Sequence, residues 1–334
     1  MEAAMSTPMP VKLRDLSRHA AFLRVFAPGR LTLGFILPLE GYPDGPAPTM
    51  TGHTEMAKMA DSLGFAALWA RDVPTYDPNF GDVGQIYDPF TYLAFLAAAT
   101  KRIALATGSA VITLRHPILL AKQAASVDHL SEGRLLLGVA SGDRPVEYPV
   151  FGLTNEFEPR GERFREALAI FRAATELSFP VAGSPRYGSL TGHVDTLPKA
   201  FDGAIPVLVT GRSRQDVDWI AKNSDGWFYY FVGLEHVETI AQSWQDTVRR
   251  TLGEGVFKPF AQGAFFDLHP SPNYPAEPIH AGIRAGRNAL VQYLHALQER
   301  EVHHFAMNLK PLRRPAAEVL QELAEFVLPH FPSH

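Results

Sequence analysis

The sequence of 334 residues contains no cysteine, which excludes disulfides, thiolate metal ligands and cysteine nucleophiles together. No apolar run approaches the roughly 18 residues that a membrane-spanning helix needs. The net charge is −4 and basic residues are interleaved with acidic ones, so there is no basic stripe of the kind that binds nucleic acid. Met1–Pro10 lacks the apolar stretch of a secretory signal. We therefore expect a cytoplasmic protein whose partners include neither membranes nor nucleic acids.

Several motifs of well-known enzyme classes are also missing. No Gly-x-Gly-x-x-Gly follows the first apolar run, where a dinucleotide-binding fold would carry it. No Gly-x-Ser-x-Gly marks the nucleophile of an α/β-hydrolase. The histidines show no spacing typical of metal ligands, and the neighbours His303 and His304 would point to opposite faces of a strand. We expect no metal site.

What the sequence does contain is a regular alternation of short apolar runs with longer amphipathic stretches. The first run, 31–37, is continuous rather than alternating, which is typical of a parallel strand buried on both faces. Helix stop and cap signals such as Gly64 and Asp88-Pro89 separate the runs. The predicted strands are 31–37, 65–70, 102–107, 134–140, 205–210, 226–231, 259–268 and 302–308. The predicted helices are 54–63, 88–100, 117–130, 160–177, 214–223, 235–252, 282–300 and 316–328.

Eight strand–helix units without a linker predict an α/β fold of the (β/α)8 TIM-barrel type in preference to two doubly wound domains. We expect one domain over residues 31–330 and an N-terminal extension over 1–30. In the extension, 11–27 has helical spacing and would pack across the barrel bottom or against a neighbouring subunit.

Three connections are longer than the rest. Residues 141–159 after the fourth strand and 267–281 after the seventh are predicted as insertions at the catalytic end, where they would act as lid or substrate loops. Residues 180–203 precede the fifth strand. Within them, 187–192 predicts a small structural hairpin at the opposite end of the barrel.

In such a barrel the site lies where the strands end. The second strand ends in Arg71-Asp72, which would bind substrate or would form an ion pair satisfied within itself. The third ends near Gly108-Ser109, where small residues would let a flat ligand approach the backbone or would form a bulge.

The fourth strand ends in Ser141-Gly142-Asp143, which leaves room for a ligand. Asp143 would hydrogen-bond a ligand hydroxyl or cap a turn. Arg160 and Arg163 begin the next helix, where planar guanidinium groups would reach a phosphate or would only be solvated. Arg71, Asp72 and Asp143 are the candidate catalytic residues.

The fifth strand runs through Thr210-Gly211-Arg212-Ser213 directly into a predicted helix. Backbone N–H groups, a hydroxyl and the positive end of a helix at such a junction suit a phosphate. Ser213 as an ordinary helix cap is the alternative, and the two roles are compatible.

Five stretches together resemble the bacterial luciferase-like flavin monooxygenases. They are Thr32-Leu-Gly-Phe, residues 60–69, Ile103-Ala-Leu-Ala-Thr-Gly108, residues 116–134 and Leu137-Gly-Val-Ala-Ser-Gly-Asp143, with 116–143 the most specific. The resemblance covers about residues 30–310. It implies a barrel that binds FMN, or in sister branches a deazaflavin coenzyme. It also implies O2 and a small organic substrate, a flavin reductase as a supplier of reduced flavin, and a homodimer.

For particular residues, the resemblance implies a cis peptide bond at Gly108-Ser109 against the flavin ring. It places Ser141 and Asp143 among the flavin contacts, Arg160 or Arg163 near the phosphate, and 211–213 in the phosphate loop. There are departures from the family. Luciferases carry cysteine and arginine where this chain has Ala140-Ser141, and histidines where it has Arg71-Asp72. Light emission is therefore not implied. A deazaflavin-dependent reductase or dehydrogenase, or a flavin-binding protein without turnover, remains the alternative.

Overall fold

The structure, a computed structural model, describes residues 13–334. The strands are β1 (Thr32–Ile36), β2 (Ala67–Ala70), β3 (Ala104–Val111), β4 (Leu135–Ala140), β5 (Val181–Ser184), β6 (Gly188–Thr191), β7 (Val207–Thr210), β8 (Gly226–Tyr230), β9 (Phe260–Leu268), β10 (Glu277–Ile279), β11 (Gly282–Ala285) and β12 (His304–Asn308). The helices are α1 (Ala20–Val25), α2 (His53–Leu63), α3 (Pro89–Ala99), α4 (Pro117–Leu130), α5 (Glu147–Val150), α6 (Arg160–Glu176), α7 (Val217–Asn223), α8 (Leu234–Leu252), α9 (Arg287–Glu299) and α10 (Ala316–Phe326).

Eight parallel strands close into a barrel in the order β1-β2-β3-β4-β7-β8-β9-β12, with β12 paired back to β1. Helices connect successive strands, so the predicted (β/α)8 TIM barrel is confirmed. Every strand residue of β1 and β2 is buried, because one face meets the barrel interior and the other meets the helices. No helix among residues 13–334 combines the length and the apolar character needed to cross a membrane.

Helix α1 closes the bottom of the barrel. Its Phe22 and Val25, with Phe26 after them, belong to the same buried cluster as inward-facing barrel residues such as Leu136 and Ala306. The prediction of a helix over 11–27 is too long. Residues 13–19 are not helical, 20–25 are, and 11–12 lie outside the described residues. The segment was predicted to pack across the barrel bottom or against a neighbouring subunit, and in the structure α1 packs across the bottom.

The hairpin before β7 is larger than predicted and lies elsewhere. Strands β5 and β6 pair over 181–191, so the predicted 187–192 covers only its second half. The Tyr187 ring lies 4.7 Å from the Arg163 guanidinium and 5.9 Å from the His116 ring. Both partners stand at helix N-termini, beside the carboxyl ends of the strands. The prediction that the hairpin sits at the opposite end is therefore wrong for its turn, whereas its open end lies beside the C-terminal end of α6.

In the insertion after β9, the predicted start of the next helix at residue 282 is wrong. Residues 282–285, predicted as the start of a helix, form β11, which pairs with the outer half of β9, while β10 pairs with β11. A Cβ atom on Gly282 would lie 1.9 Å from the carbonyl oxygen of Phe265, so glycine is required for this pairing. Helix α9 begins only at Arg287.

Candidate functional site

The floor of the barrel mouth is aromatic. Trp69 of β2 and Phe228 of β8 stack with ring centroids 4.6 Å apart and ring planes at 23°. Both rings are buried and belong to the interior cluster, as does Ile36 at the end of β1. A layer of buried apolar side chains therefore closes the barrel interior just below the strand ends, where ligands of TIM barrels bind.

Gly108 and Ser109 lie directly above this floor. The pairing of β3 with β4 shifts register between Thr107 and Ala110, so the two residues between them leave the regular ladder. A Cβ atom on Gly108 would lie 3.2 Å from Cβ of Trp69, which is tighter than side chains normally approach. The Gly108–Ser109 peptide bond is cis, in agreement with the family resemblance.

The end of β4 is fixed by its backbone. The carbonyl of Ser141 accepts hydrogen bonds from Thr113 Oγ1 at 2.9 Å and from the Tyr148 hydroxyl at 2.7 Å. Gly142 has φ 74°, and a Cβ there would lie 2.9 Å from Val111 Cγ1, so the turn requires glycine. Asp143 follows with an exposed side chain close enough to Arg160 for their charges to interact. Thr113 and Tyr148 were not predicted from the sequence.

Arg71 and Asp72 do not pair with each other. Arg71 Nη1 lies 2.5 Å from Asp82 Oδ2. Asp72 accepts from the backbone N–H of Val111 at 3.0 Å and from Arg115 Nη2 at 2.8 Å. Of the two predictions for this dipeptide, the self-satisfied pair is wrong, because each side chain pairs with another residue, and substrate binding stays a prediction. Asp72 anchors the segment after β3, whereas Arg71 faces the mouth with part of its side chain exposed.

Asp82 joins three loops at the rim. Besides Arg71, it accepts from the Tyr42 hydroxyl at 3.0 Å and lies 3.7 Å from Lys310 Nζ. Burial acts to raise the pKa of Asp82, but the neighbouring cations and the N–H of Gly84 hold that pKa below its ordinary value. The ionised carboxylate therefore ties together the loops that follow β1, β2 and β12.

Arg144 makes a second link across the rim. Its guanidinium donates to the carbonyls of Thr75 and Asp82 at 3.2 Å each and to Glu147 Oε1 at 3.3 Å, and it lies 3.8 Å from the Phe80 ring centroid. Burial raises the pKa of Glu147. The loop after β4 is thereby attached to the loop after β2. Nothing in the local sequence distinguishes Arg144 from a solvated surface arginine.

The segment after β7 forms a cradle of backbone N–H groups. Gly211, Ser213 and Arg214 have positive φ angles of 55°, 45° and 60°. Within the described residues, the N–H groups of Arg212, Ser213 and Arg214 donate to no protein acceptor. Consecutive free N–H groups in such a turn attract anions.

The helix after this cradle begins later than predicted. Helix α7 starts at Val217, and its cap is Asp216, whose side chain accepts from the N–H of Trp219 at 2.6 Å. The Ser213 hydroxyl donates to the carbonyl of Thr210 at 2.9 Å instead of capping a helix. The predicted direct junction of strand and helix, with Ser213 as its cap, is therefore wrong.

Arg160 stands beside the cradle. A Cβ atom on the next residue, Gly161, would lie 3.0 Å from Arg214 Cβ, so the start of α6 touches the cradle. Arg160 donates to the Phe157 carbonyl at 2.6 Å and covers its ring, while its Nε is buried without a partner. Burial, and then the positive charge of Arg214, lowers the pKa of Arg160. An anion at this point would supply both the missing hydrogen-bond acceptor and the countercharge.

Arg163 is committed elsewhere. Its Nε donates to the Thr113 carbonyl at 2.7 Å, its Nη1 lies 3.6 Å from Glu156, and its guanidinium covers the ring of Tyr187. The structure thus separates the two candidate arginines: Arg160 lies at the cradle, and Arg163 holds the loop after β3 and the hairpin.

Thr210 presents a buried Oγ1 that has no partner within the described part of the chain. This oxygen faces Gly138 of the neighbouring strand β4, where an added Cβ atom would lie 3.5 Å from it. An apolar floor, unpartnered polar atoms and an anion cradle therefore occupy the same end of the barrel. Residues 13–334 contain no group of three or more His, Cys, Asp or Glu residues placed to hold a metal ion.

A comparison with known protein families agrees with this architecture. Residues 31–255 match the model of the luciferase-like monooxygenase family. Because the match extends over more than half of the chain, the protein belongs to that family.

Individual relatives match smaller parts. The chain is 30% identical over 139 residues to 4-hydroxyprotoasukamycin monooxygenase of Streptomyces nodosus subsp. asukaensis, covering 41% of this chain and 35% of that protein. It is 35% identical over 114 residues to the oxygenase component of flavin-dependent trigonelline monooxygenase of Acinetobacter baylyi, covering 34% and 30%. The chain thus spans about a third of the length of each of these two curated relatives.

Among solved structures, an F420-dependent secondary alcohol dehydrogenase in complex with an F420-acetone adduct superposes with a TM-score of 0.74. The alignment covers 91% of this chain and 100% of that one at 16% sequence identity. Similarity at this level shows a common fold.

Proposed function

We propose that this protein is a flavin-dependent monooxygenase that uses reduced FMN and O2 on a small organic substrate. The observation that carries the proposal is the combination, at one end of the barrel, of two half-buried small residues, Gly108 and Ser109, over the aromatic floor with an anion cradle beside the unpartnered Nε of Arg160. A ligand with a planar ring system and a terminal phosphate fits both parts.

The residues present fit FMN in the following way. The N–H groups of 212–214 and the Arg160 guanidinium would hold the phosphate. Thr210 Oγ1 and Asp143 would take part in binding the hydroxyls of the chain that connects phosphate and ring. Gly108-Ser109, Ser141 and Gly142 would line the ring. Bound reduced flavin would supply the electrons for oxygen activation.

The rest of the mouth would shape the substrate site. Asp82 and Arg144 together hold four loops, those after β1, β2, β4 and β12, above the floor, which limits the access of water to a bound substrate. Arg71 is the candidate group for contact with substrate, because its partly exposed guanidinium faces the mouth. Asp72 is a support for the loop after β3.

A deazaflavin-dependent dehydrogenase is the second candidate. It is favoured by the similarity to an F420-dependent dehydrogenase fold and by the exposed Arg212 and Arg214 beside the cradle, which would tolerate a longer anionic tail. A flavin-binding protein without turnover is the third.

Two protein partners belong to the proposal. The relative named as an oxygenase component supports a separate flavin reductase that delivers reduced FMN. A second copy of this chain would cover helix α3, which carries no charged side chain, and its surroundings. There Ile86, Phe95 and Leu119 are 54%, 51% and 64% exposed.

Anaerobic titration of the purified protein with reduced FMN and with reduced deazaflavin, followed by admission of O2, tests the proposal. We expect FMN to bind and its reoxidation by O2 to differ in rate from that of free FMN. Selective binding of the deazaflavin without reaction with O2 would instead favour the deazaflavin-dependent dehydrogenase. Binding of neither would refute a flavin site.

A further inference from the structure

A buried chain of hydrogen bonds connects the site floor to the bottom helix. Trp69 Nε1 lies 2.9 Å from His304 Nε2, His304 Nδ1 lies 2.8 Å from Thr32 Oγ1, and Thr32 Oγ1 lies 2.7 Å from the carbonyl oxygen of Val25. Trp69, His304 and Thr32 are all fully buried in the barrel.

The chemistry of the groups fixes the direction of each bond. An indole nitrogen can only donate, so His304 Nε2 must accept and the imidazole proton must be on Nδ1. The carbonyl of Val25 can only accept, so the Thr32 hydroxyl donates to it. That hydroxyl oxygen is then the acceptor for the Nδ1 proton of His304. Only one arrangement of protons satisfies all three bonds.

Two further contacts hold the imidazole in place. A Cβ atom on Gly34 would lie 2.8 Å from both Cε1 and Nε2 of His304, so the ring occupies the space that any side chain at Gly34 would need. Phe26, which follows α1, meets the His304 ring edge-on with centroids 6.1 Å apart. These contacts explain both the threonine and the glycine of the motif at 32–35.

The upper end of the chain reaches the candidate site. Trp69 stacks on Phe228, and Gly108 lies against its indole, where an added Cβ would be 3.4 Å from Cε3. A rotation of the Trp69 ring would therefore move the surface on which Gly108 and Ser109 lie.

We propose that His304 and Thr32 are positioning residues that fix the orientation of the Trp69 ring, and through it the Gly108–Ser109 segment, for the ligand of the barrel mouth. The inference rests on the proposed flavin function for the identity of that ligand. Neither residue is a catalytic residue, because both lie below the floor. Helix α1 thereby becomes part of the support of the site, since its Val25 carbonyl ends the chain.

The first test uses nitrogen-15 NMR of the ligand-free protein, which needs no flavin. The nitrogen shifts of His304 should report a neutral ring protonated on Nδ1. The indole N–H of Trp69, assigned by its loss in Trp69→Phe, should exchange slowly with solvent. A ring protonated on Nε2 would overturn the inference, because that tautomer cannot accept from Trp69.

The second test compares three substitutions of buried threonines. Thr32→Val removes the hydroxyl at nearly constant volume, whereas Thr32→Ser keeps it. Thr175→Val is the matched control, because its equally buried hydroxyl bonds only within α6, to Phe171 and Arg172. We expect Thr32→Val alone to shift the Trp69 indole signal and to accelerate its exchange about tenfold, the effect of losing one buried hydrogen bond. An unchanged signal would overturn the inference.

The third test measures the dissociation constant of reduced FMN in the same variants. Thr32→Val should weaken binding about three- to tenfold, and the other two should stay within about twofold of wild type. Wild-type affinity in Thr32→Val, with a displaced Trp69 signal, would overturn the positioning role. If the wild-type protein binds no flavin, the proposed function fails, and the NMR comparison alone decides whether Thr32 and His304 fix Trp69.

Discussion

Acidification from pH 7 to pH 5 should destabilise the folded protein through His303 and His304. Burial lowers the pKa of His304 from its ordinary value of 6.5 to about 3, and that of His303 to about 4. Between these values and 6.5 the unfolded chain binds more protons than the folded one. The stabilising contribution is therefore complete above pH 6.5 and is lost as the pH falls toward the folded values.

The magnitude follows from linkage. Between pH 7 and pH 5, the unfolding free energy falls by about 2 kcal/mol for each histidine that stays neutral in the folded protein. The two histidines together lower it by roughly 4 kcal/mol. This is a large part of the 5–15 kcal/mol that is typical of whole domains. The loss should be visible as a lower urea midpoint at pH 5 than at pH 7, with an unchanged slope of free energy against urea.

The matched variants are His304→Gln and His236→Gln. The first removes the buried imidazole, so about half of the pH-dependent loss should disappear. The second changes a side chain that is 72% exposed and should keep the wild-type difference between the two pH values. Equal stability of the wild-type protein at pH 7 and pH 5 would show that the two histidines do not control the pH dependence, and an unaltered pH dependence in His304→Gln would exclude His304.

Three further predictions concern arginines and the cradle. Arg134→Met should lower the unfolding free energy by about 2–4 kcal/mol, because this buried guanidinium donates to five acceptors around the C-terminal ends of α3 and α4 and the start of β3. Urea denaturation measures the change, and a loss below about 1 kcal/mol would contradict the prediction. Arg160→Met should weaken reduced FMN about tenfold in anaerobic titration, whereas Arg163→Met should mainly lower stability; the reverse pattern would show that Arg163 binds the phosphate. Ser213→Ala should change FMN affinity less than about threefold, since its hydroxyl already donates to Thr210. A tenfold loss in this variant would mean that the hydroxyl turns toward the ligand.

The barrel could be predicted because its strands are short continuous apolar runs separated by helices with clear caps. The helix of 117–130 and the Asp88-Pro89 start of α3 were predicted to the residue. Residues 282–285 were not, since a four-residue strand directly before a helix leaves no periodicity of its own. The pairing that makes them a strand comes from β9, which is distant in sequence.

The site could be predicted only in part. The predicted segments at Gly108, Ser141 and Gly211 all lie at the barrel mouth, because the ends of parallel strands meet at one end of a barrel. Their roles as cofactor ligands stay predictions, and so do the domain limits and the cytoplasmic location. The side-chain partners were beyond sequence reasoning: nothing local to Asp72 indicates that Arg115 rather than Arg71 meets it.

The hydrogen-bonded chain of Trp69, His304 and Thr32 could not be predicted from the sequence either. Its members lie on β2, β12 and β1, and only barrel closure brings β12 beside β1. That His303 and His304 point to opposite faces stays a prediction, since β12 begins only at His304. The sequence contained no signal that one of them would accept from a tryptophan on another strand.

Binding of a flavin at the barrel mouth through both its ring and its phosphate can be measured directly. The measurement compares the dissociation constant of reduced FMN with that of reduced riboflavin, which has the same ring without the phosphate, under anaerobic conditions. We expect FMN to bind at least about tenfold more tightly, because the cradle at 212–214 and Arg160 would contact only the phosphate. Equal affinities, or no binding of either compound, would contradict this expectation.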